Sequence, residues 1–370
     1  MRSNSTVLIG HPFAPIGCGE SLRCAYRAFR SVALRPSILD VYGIHAAEYD
    51  ARAEFGPALT AQLGDVNIFF LNADEVDRAL AHMGVSGKLP GYNILYPNWE
   101  LSTFPAAWHP QLERFDEVWA PSQFIADSIG DAIRPPVLHM PVPCEVDLSS
   151  LLSRRYFGIP ESAYTFLFFF DFRSFSTRKN PQAVIKAFER MYAQRPNANA
   201  TLVVKVNGSE QDPAGLARLQ EAIQPFRNRI ILIDRTITDN EVKNLVRCCD
   251  SFVSLHRAEG FGRGLAEAMY LGKPLIATGY SGNMDFMDPD SALLVPFELV
   301  PVAAGEYPHH EGQVWADADV EQAAQYMTQL VDDPRWGREL GQRGSRTVRS
   351  RVSYRTVGMS YRRRLERIPA

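Results

Sequence analysis

The chain has 370 residues, of which 46% are hydrophobic and 22% charged, and its formal net charge is −3. The length suggests two domains, each large enough for its own core, and the composition is that of an ordinary soluble globular protein. Since no apolar run reaches about 18 residues, no segment is predicted to span a bilayer, and the charge argues neither for a membrane surface nor for nucleic acid.

The cysteines indicate neither a disulfide framework nor a metal cluster, because their number is odd and no two form a CxxC pair. The first residues, MRSNSTVLIGHPF, pass straight into a predicted strand and lack the apolar core of a signal peptide. We therefore expect a cytoplasmic protein. The cysteines are Cys18, Cys24, Cys144, Cys248 and Cys249.

The first half of the chain alternates short apolar runs with helical patterns. TVLIG is the first predicted strand, and a loop and a helix follow it. Further strand-like runs lie at residues 37–41, 66–71, 92–96, 117–120 and 136–139. This βαβ alternation predicts a mostly parallel sheet, and Pro141 and Pro143 mark a connection to a second domain.

A glycine loop follows the first strand. Gly17, Cys18 and Gly19 begin a GxG pattern, but Leu22 occupies the position of the third glycine. The dinucleotide-binding pattern is therefore incomplete, which removes the main support for an oxidoreductase. The alternatives for this loop are a ligand-facing turn and a tight strand-to-helix turn without a ligand, and His11 is open to the same two interpretations.

Polar residues also follow later strands of this half. NADE, residues 72–75, comes after VNIFFL, at a carboxyl end where open α/β sheets place ligands. Trp99 and Glu100 follow the next strand, and an exposed Trp beside a carboxylate suits sugar binding. The alternative is that Trp99 and Trp108 pack against helices.

The second domain opens with YTFLFFFDF, whose continuous apolar character predicts a buried parallel strand. The loop leaving it carries Arg173, Arg178 and Lys179, and a helix is predicted to begin near Asn180 and Pro181. Three cations at one strand end indicate an anion. The alternative is a solvated basic loop.

A strand, a glycine turn and a helix recur in SFVSLH, GFGRG and LAEAMYLG. The free amides and the dipole at a helix start make an anion site there. Glu259 and Glu267 flank the turn and suit hydroxyl groups better than phosphate, so the pattern suggests a nucleotide-linked sugar. The alternative is a plain βαβ unit with two solvated glutamates.

The stretch E-G-F-G-x-x-L-x-E-A-M-x-x-G-K-P-x-I-A-T resembles the E-x7-E signature of family 4 glycosyltransferases, which are retaining enzymes of the GT-B fold. The resemblance implies an α/β protein of two Rossmann-like domains whose mostly parallel sheets face across a cleft. The N-terminal acceptor domain would span 1–150, joined by a crossing helix at about 350–370. The nucleotide-sugar donor domain would span 151–349.

The resemblance also implies roles at the donor site. In the family's pattern Glu259 binds hydroxyls of the transferred sugar and Glu267 binds the ribose, and no metal or other cofactor is expected. An Arg and a Lys six positions apart clamp the pyrophosphate, as Arg173 and Lys179 are spaced here, whereas a close subgroup has the arginine beside the lysine, as Arg178 is. The glycine turn that completes the donor site consists of Gly260, Phe261, Gly262, Arg263 and Gly264.

The Trp-Glu pair before F-P-x-x-W looks like a subgroup that assembles bacterial polysaccharides and lipid-linked oligosaccharides. The loop RTITDNE resembles the segment that holds the base through backbone groups, so the base is not named, and Thr238 with Glu241 predicts a capping box. The residues assigned to the acceptor or cleft are His11, Gly17, Cys18, Gly19, Trp99 and Glu100.

The expected activity is retaining transfer of a hexose or deoxyhexose to a saccharide or lipid-linked acceptor, with GDP-mannose among the candidate donors. The alternatives are a GT-B sugar phosphorylase, a nucleotide-sugar epimerase and a non-catalytic sugar-binding scaffold. No partner of the nucleic-acid class is expected.

Two further stretches carry charge. Residues 335–370 hold eleven arginines against Glu339 and Glu366. We expect a solvated helix face there, and the alternative is peripheral contact with anionic lipid on the inner face of the membrane. His309, His310 and Glu311 suggest a metal, but without a second ligand pair at zinc spacing a surface loop is expected.

Overall fold

The computed structural model describes residues 5–44 and 49–368. They divide into two compact units. The first takes in the described residues up to Glu145 and those from Ser350 onward, and the second is Val146–Arg349.

The first unit is built on a sheet of six parallel strands in the order β2-β1-β3-β4-β5-β6. Its strands alternate with helices, as the pattern of the sequence predicts. Its elements up to Glu145 are β1 (Thr6–Gly10), α1 (Gly17–Ser31), β2 (Ser37–Asp40), α2 (Tyr49–Phe55), β3 (Val66–Phe69), α3 (Val76–His82), β4 (Tyr92–Leu95), α4 (His109–Leu112), β5 (Glu117–Ala120), α5 (Gln123–Ile129) and β6 (Val137–His139).

The second unit has another six-stranded parallel sheet, in the order β12-β11-β10-β7-β8-β9, and a small antiparallel pair, β13 with β14. The remaining elements are β7 (Tyr164–Asp171), α6 (Ser176–Lys179), α7 (Pro181–Gln194), β8 (Ala200–Asn207), α8 (Pro213–Ile223), β9 (Ile230–Asp234), α9 (Asp239–Cys248), β10 (Ser251–Ser254), α10 (Arg263–Tyr270), β11 (Leu275–Thr278), β12 (Leu293–Val295), β13 (Phe297–Pro301), β14 (Val314–Ala318), α11 (Val320–Asp332), α12 (Pro334–Val352) and α13 (Tyr354–Leu365).

The centre of strand β7, from Phe166 to Phe170, is apolar because both of its faces are covered. Successive side chains of a strand point to opposite faces of the sheet. Phe166, Phe168 and Phe170 belong to the buried core that includes residues of α7 and α11. Phe169 faces the other way and packs on Phe252, with ring centroids 5.0 Å apart. The prediction of a buried parallel strand is therefore confirmed.

The order of the second sheet reverses between β7 and β10. From β7 the chain continues outward through β8 and β9, whereas β10 leads through β11 and β12 to the other edge. Such a switch point leaves a crevice at the carboxyl ends of the two central strands, where open α/β sheets bind ligands.

Helix α13 is part of the first unit's core. Tyr361 is fully buried and stacks on Phe29 of α1 at 4.7 Å between ring centroids. A Cβ at Gly358 would lie 2.3 Å from the carbonyl oxygen of Ala28, so only glycine permits this approach. Nowhere in residues 5–44 and 49–368 is a helix long and apolar enough to cross a membrane.

Candidate active site

A cavity of about 300 Å³ lies in the second unit, at the switch point between β7 and β10. The ends of β7, β8 and β10 and the start of α10 contribute its walls. The sequence assigned donor or catalytic roles to six of the lining residues, which are Lys179, Glu259, Gly262, Arg263, Gly264 and Glu267.

The glycine turn brings the start of α10 against this cavity. Gly262 precedes the helix with φ of 88°, a left-handed conformation that favours glycine, and provides no side-chain cap. A Cβ at Gly264 would lie 2.7 Å from Cζ of Phe169, so a side chain there would collide with β7. The first amides of α10 and its positive dipole end are therefore at the cavity, and this arrangement favours an anion.

Lys179 and Glu259 face each other in the cavity. Nζ of Lys179 lies 2.5 Å from Oε1 of Glu259, and Nη1 of Arg178 lies 3.4 Å from Oε2. Burial raises the pKa of Glu259, but the charges of Lys179 and Arg178 outweigh it and hold that pKa well below its usual range. The carboxylate is thus ionised and accepts hydrogen bonds.

The two arginines of the basic loop differ in environment. Arg178 is 3% exposed, and its Nη1 donates to the carbonyl of Ala258 at 2.8 Å, so it holds the segment that carries Glu259. Arg173 has a half-exposed side chain and donates to both carboxylate oxygens of Asp171, at 2.9 and 2.6 Å. Neither is among the described residues that line the cavity, whereas Lys179 is.

Gly260 and Phe261 also lie outside the described lining of the cavity. Phe261 is buried and packs on Phe286 with ring centroids 5.0 Å apart. Its side chain therefore stabilises the glycine turn by packing on the side away from the cavity.

The loop between Thr278 and Asn283 supports Glu259 through the backbone. The amide of Glu259 donates to Oγ of Ser281 at 2.8 Å, and the amide of Gly282 donates to the Glu259 carbonyl at 2.9 Å. Ser281 has φ of 75°, which is uncommon for a residue other than glycine. No role was predicted for this polar loop, although a run of small polar residues directly after a buried strand was the available signal.

A buried histidine fastens the same loop. Nε2 of His256 faces Oδ1 of Asn283 at 3.0 Å and the carbonyl of Tyr280 at 3.3 Å, and both are acceptors. Nε2 therefore carries the hydrogen, and Nδ1 accepts from Oγ of Ser254 at 3.0 Å. Burial lowers the pKa of His256, so the ring is neutral, and its hydrogen bonds hold the loop in position.

Backbone strain is concentrated around this site. Among the described residues other than glycine, five have a positive φ, and three of these are Phe175, Asn180 and Ser281. Phe175 and Asn180 bracket the short helix that ends at Lys179. Strained backbone of this kind persists where the surroundings fix it, and it is concentrated at functional sites.

Lys205 and Asn207 line the cavity and were not predicted from the sequence. Lys205 is 2% exposed and stands in the apolar strand ATLVVKVN. A lone lysine within a buried strand was the signal available.

In the first unit, the polar residues predicted at strand ends come together. His11 follows β1, and its Nε2 lies 2.7 Å from Oε1 of Glu75, the last residue of the NADE segment predicted at a strand end. Cys18 donates to Oδ1 of Asn72 at 3.5 Å and accepts from Asn98 at 3.3 Å. Burial raises the pKa of Cys18 to about 12, so the thiol stays protonated.

Gly17 begins α1, and a Cβ at Gly19 would lie 2.5 Å from the carbonyl oxygen of His11. The loop is therefore a tight strand-to-helix turn. Its place, just past the carboxyl end of β1, is where a ligand of this sheet is expected.

Trp99 is a packed residue, contrary to the exposed ring that sugar stacking needs. It is 3% exposed, and its Nε1 donates to the carbonyl of Thr103 at 2.8 Å. The ring meets Phe104 and Trp108 edge-on, with centroids 5.9 and 5.3 Å away. Of the predicted pair, Glu100 is the residue that keeps a partly exposed side chain.

His309, His310 and Glu311 lie in the loop between β13 and β14, where the side chain of Glu311 is 79% exposed. In the part of the chain that the structure describes, no group of three or more His, Cys, Asp or Glu side chains is arranged to hold a metal ion.

Two six-stranded parallel sheets, with a cavity at the switch point of the second, define an α/β protein of the GT-B fold. The chain belongs to the family described as glycosyl transferases group 1, whose model matches residues 154–347. The protein is therefore a glycosyltransferase. No curated protein matches the chain in sequence.

Solved structures are similar in fold. HepE of Anabaena, determined in complex with UDP and glucose, has a TM-score of 0.70 and 15% sequence identity, with 98% of this chain and 100% of that chain covered. Sucrose-phosphate synthase of Thermosynechococcus elongatus has a TM-score of 0.68 and 14% identity, with 98% of each chain covered.

Proposed function

We propose that this glycosyltransferase moves a hexose or deoxyhexose from a nucleotide sugar to a saccharide or lipid-linked acceptor, with retention at the anomeric carbon. The observation that carries the proposal is that one cavity contains Lys179, Glu259, Glu267 and the start of α10. A cation and helix amides suit the diphosphate of a nucleotide sugar, and carboxylates suit the hydroxyl groups of its sugar and ribose.

Charge develops on the diphosphate as the bond to the sugar breaks. Lys179 and the amides at 262–264 stabilise that charge, because preorganised donors act strongly in a site that excludes water. Arg173 reaches the diphosphate by exchanging its contact with Asp171. In this proposal no metal ion takes part.

The two glutamates divide the remaining work. Glu259 is ionised and accepts hydrogen bonds from hydroxyls of the transferred sugar, and Lys179 and Arg178 keep it in place. Glu267 accepts from the ribose hydroxyls, as acidic residues do in dinucleotide folds. The acceptor attacks on the face that the diphosphate leaves, and the leaving phosphate takes the acceptor's proton.

The polar residues of the first unit bind the acceptor in this scheme. His11, Glu75, Cys18 and Glu100 provide acceptors and donors suited to hydroxyl groups. The acceptor would then be a saccharide, free or attached to a lipid, on the cytoplasmic side. The basic face of α13 provides a peripheral contact with anionic lipid.

The decisive experiment combines binding with product analysis. Calorimetry with GDP, UDP, dTDP and ADP identifies the nucleotide, with UDP and GDP tested first because HepE was determined with UDP and GDP-mannose is a candidate donor. Transfer from the matching labelled sugar is then followed, and the anomeric configuration of the product is determined by NMR. An inverted product would refute retention. Turnover with inorganic phosphate alone, or product without any acceptor, would replace the proposal by a phosphorylase or an epimerase.

A further inference from the structure

A lysine inside the second sheet faces the proposed donor cavity. Lys205 belongs to β8, whose other side chains are mostly apolar, and only 2% of it is exposed. Burying an ammonium group is costly unless it is paired or hydrogen-bonded. Lys205 lines the cavity, so a ligand bound there could accept a hydrogen bond from its ammonium group and offset the cost of burying it.

The ammonium group of Lys205 is only partly satisfied by the protein. It has three N–H donors, and among the described residues it meets two acceptors, the Val206 carbonyl at 2.8 Å and Oδ1 of Asn207. One donor remains for a further acceptor. Burial lowers the pKa of Lys205 to about 8, although the carboxylates of Asp171 and Asp234 act in the opposite direction. The ammonium group is therefore mostly charged at neutral pH.

The register of the sheet sets the depth of Lys205. Phe169 pairs with Lys205, and Asp171 pairs with Asn207 at the carboxyl ends of β7 and β8. The Cα of Lys205 is thus two residues, about 7 Å, inside that edge of the sheet, and its side chain extends toward the edge, where the ammonium group meets Asn207. Its side chain points to the same face as Phe169, because paired residues of neighbouring strands share a face.

The helices on that face place two more lining residues at the same depth. Helices α9 and α10 begin at the carboxyl edge and run back along the sheet. Val242 and Glu267 each lie about one turn in, which is roughly 5–6 Å from the helix start. The cavity therefore has an outer level, with Lys179 and Glu259, and an inner level, with Glu267, Val242 and the backbone of Lys205, whose ammonium group extends from the inner level toward Asn207.

The inner level suits a nucleoside. Phe169, Phe252 and Val242 give it apolar walls, and Glu267 is the proposed partner of the ribose. We propose that Lys205, held by Asn207, donates a hydrogen bond to a carbonyl oxygen of the nucleobase. This inference rests on the proposed nucleotide-sugar function and names the class of base that the site accepts.

The chemistry then separates the bases. Uracil, thymine and guanine carry a carbonyl oxygen that accepts from an ammonium group, whereas adenine has no carbonyl oxygen and carries an amino group at the position of the guanine carbonyl, so that a donor would face a donor. A lost hydrogen bond to a charged group corresponds to about ten- to hundredfold in affinity. The protein is expected to prefer UDP, dTDP or GDP over ADP by that factor.

The test compares Lys205→Met with the unchanged protein by calorimetry, using UDP, GDP, dTDP, ADP and inorganic pyrophosphate. Methionine keeps the packing and removes the donors. The expected result is that the preferred diphosphate loses about ten- to hundredfold in affinity, while ADP and pyrophosphate change little. Lys186→Met is the matched control, because Lys186 is exposed on α7.

Asn207→Ala is the second variant, for the case that Lys205→Met does not fold. This variant keeps the ammonium group of Lys205 but removes the Asn207 side chain that orients it. The preference for the favoured diphosphate over ADP should therefore decrease, but less than in Lys205→Met. Equal weakening of all four nucleotides and of pyrophosphate would assign Lys205 to the diphosphate and overturn this inference alone, as would an unchanged preference in both variants. Failure of the unchanged protein to bind any of the four would overturn the proposed function as well.

Discussion

Nζ of Lys179 lies 2.5 Å from Oε1 of Glu259, so the cation proposed to hold the leaving diphosphate and the carboxylate proposed to hold the sugar are partners. They come from the ends of different strands of one sheet. A change at either residue therefore changes the environment of the other, and the donor subsites for diphosphate and sugar are coupled through this contact.

Lys179→Ala and Glu259→Ala should each lower kcat by about two to three orders of magnitude, the usual effect of removing one group that stabilises the transition state. Because the two side chains contact each other, the double variant should lose less than the product of the two effects. Initial rates of sugar transfer measure this, with Lys186→Ala as the control. Activity near the original level in either single variant would remove the site assignment.

Replacing Arg178 should lower the free energy of unfolding more than replacing Arg173. Arg178→Ala leaves a buried carboxylate with one partner fewer, and we expect a loss of roughly 3 kcal/mol in the free energy of unfolding, since Lys179 still neutralises Glu259. Arg173→Ala removes a half-exposed ion pair, and its loss should stay within about 1 kcal/mol.

Urea unfolding followed by circular dichroism measures both arginine variants. Arg173→Ala should nevertheless reduce transfer if Arg173 reaches the diphosphate. Equal destabilisation by the two variants would contradict the contrast in their burial.

Glu267→Ala should weaken nucleotide binding and leave the chemical step less affected. A lost hydrogen bond to a charged group corresponds to about ten- to hundredfold in Kd for the nucleoside diphosphate. Calorimetry measures Kd, and saturating donor gives kcat. The 2′,3′-dideoxy form of the same diphosphate is the matched ligand control, since it should bind both proteins alike. A large fall in kcat with unchanged Kd would assign Glu267 to the reaction itself.

Stability should rise with pH through the range in which Lys205 titrates. Burial lowers the pKa of this lysine to about 8 in the folded protein, whereas an unfolded lysine has a pKa of about 10.4. Between these values the unfolded chain binds more protons, so unfolding becomes less favourable as the pH increases. Urea titrations from pH 7 to 10 should show a smaller rise for Lys205→Met, and identical slopes would contradict the lowered pKa.

Chelation should leave transfer unaffected. In the proposed mechanism the leaving charge is stabilised by Lys179, Arg173 and helix amides, so excess EDTA should change the rate by less than about twofold, a difference that corresponds to under 0.5 kcal/mol in the barrier. A loss that Mg²⁺ or Mn²⁺ restores would show that a divalent cation takes part.

Much of the second unit could be predicted from local sequence. The fold class is confirmed by the two parallel sheets, and the capping box of Thr238 and Glu241 is confirmed at the start of α9. Glycines, caps and apolar runs act over a few residues, so their consequences are visible in the sequence. The glycine turn before α10 is of this kind.

The remaining features depend on contacts between distant segments. Whether Arg178 or Arg173 is buried follows from the position of the Ala258 carbonyl, 80 residues away along the chain. The support that Ser281 gives to Glu259 follows from a loop at the next strand. Lys205 faces the cavity because of its register with Phe169, which no local pattern sets. Trp99 is buried for the same kind of reason.

Helix α13 also determines the order in which the chain can fold during synthesis. Its first amide, at Tyr354, donates to Oε1 of Glu145 at 2.8 Å across a separation of 209 positions. The ribosome therefore releases the whole of Val146–Arg349 before the first sheet receives its last helix. Domains usually complete folding in the order in which they are made. In this protein the unit that is started first is finished last, and until then the surface of α1 that Tyr361 and Gly358 cover remains open to chaperones.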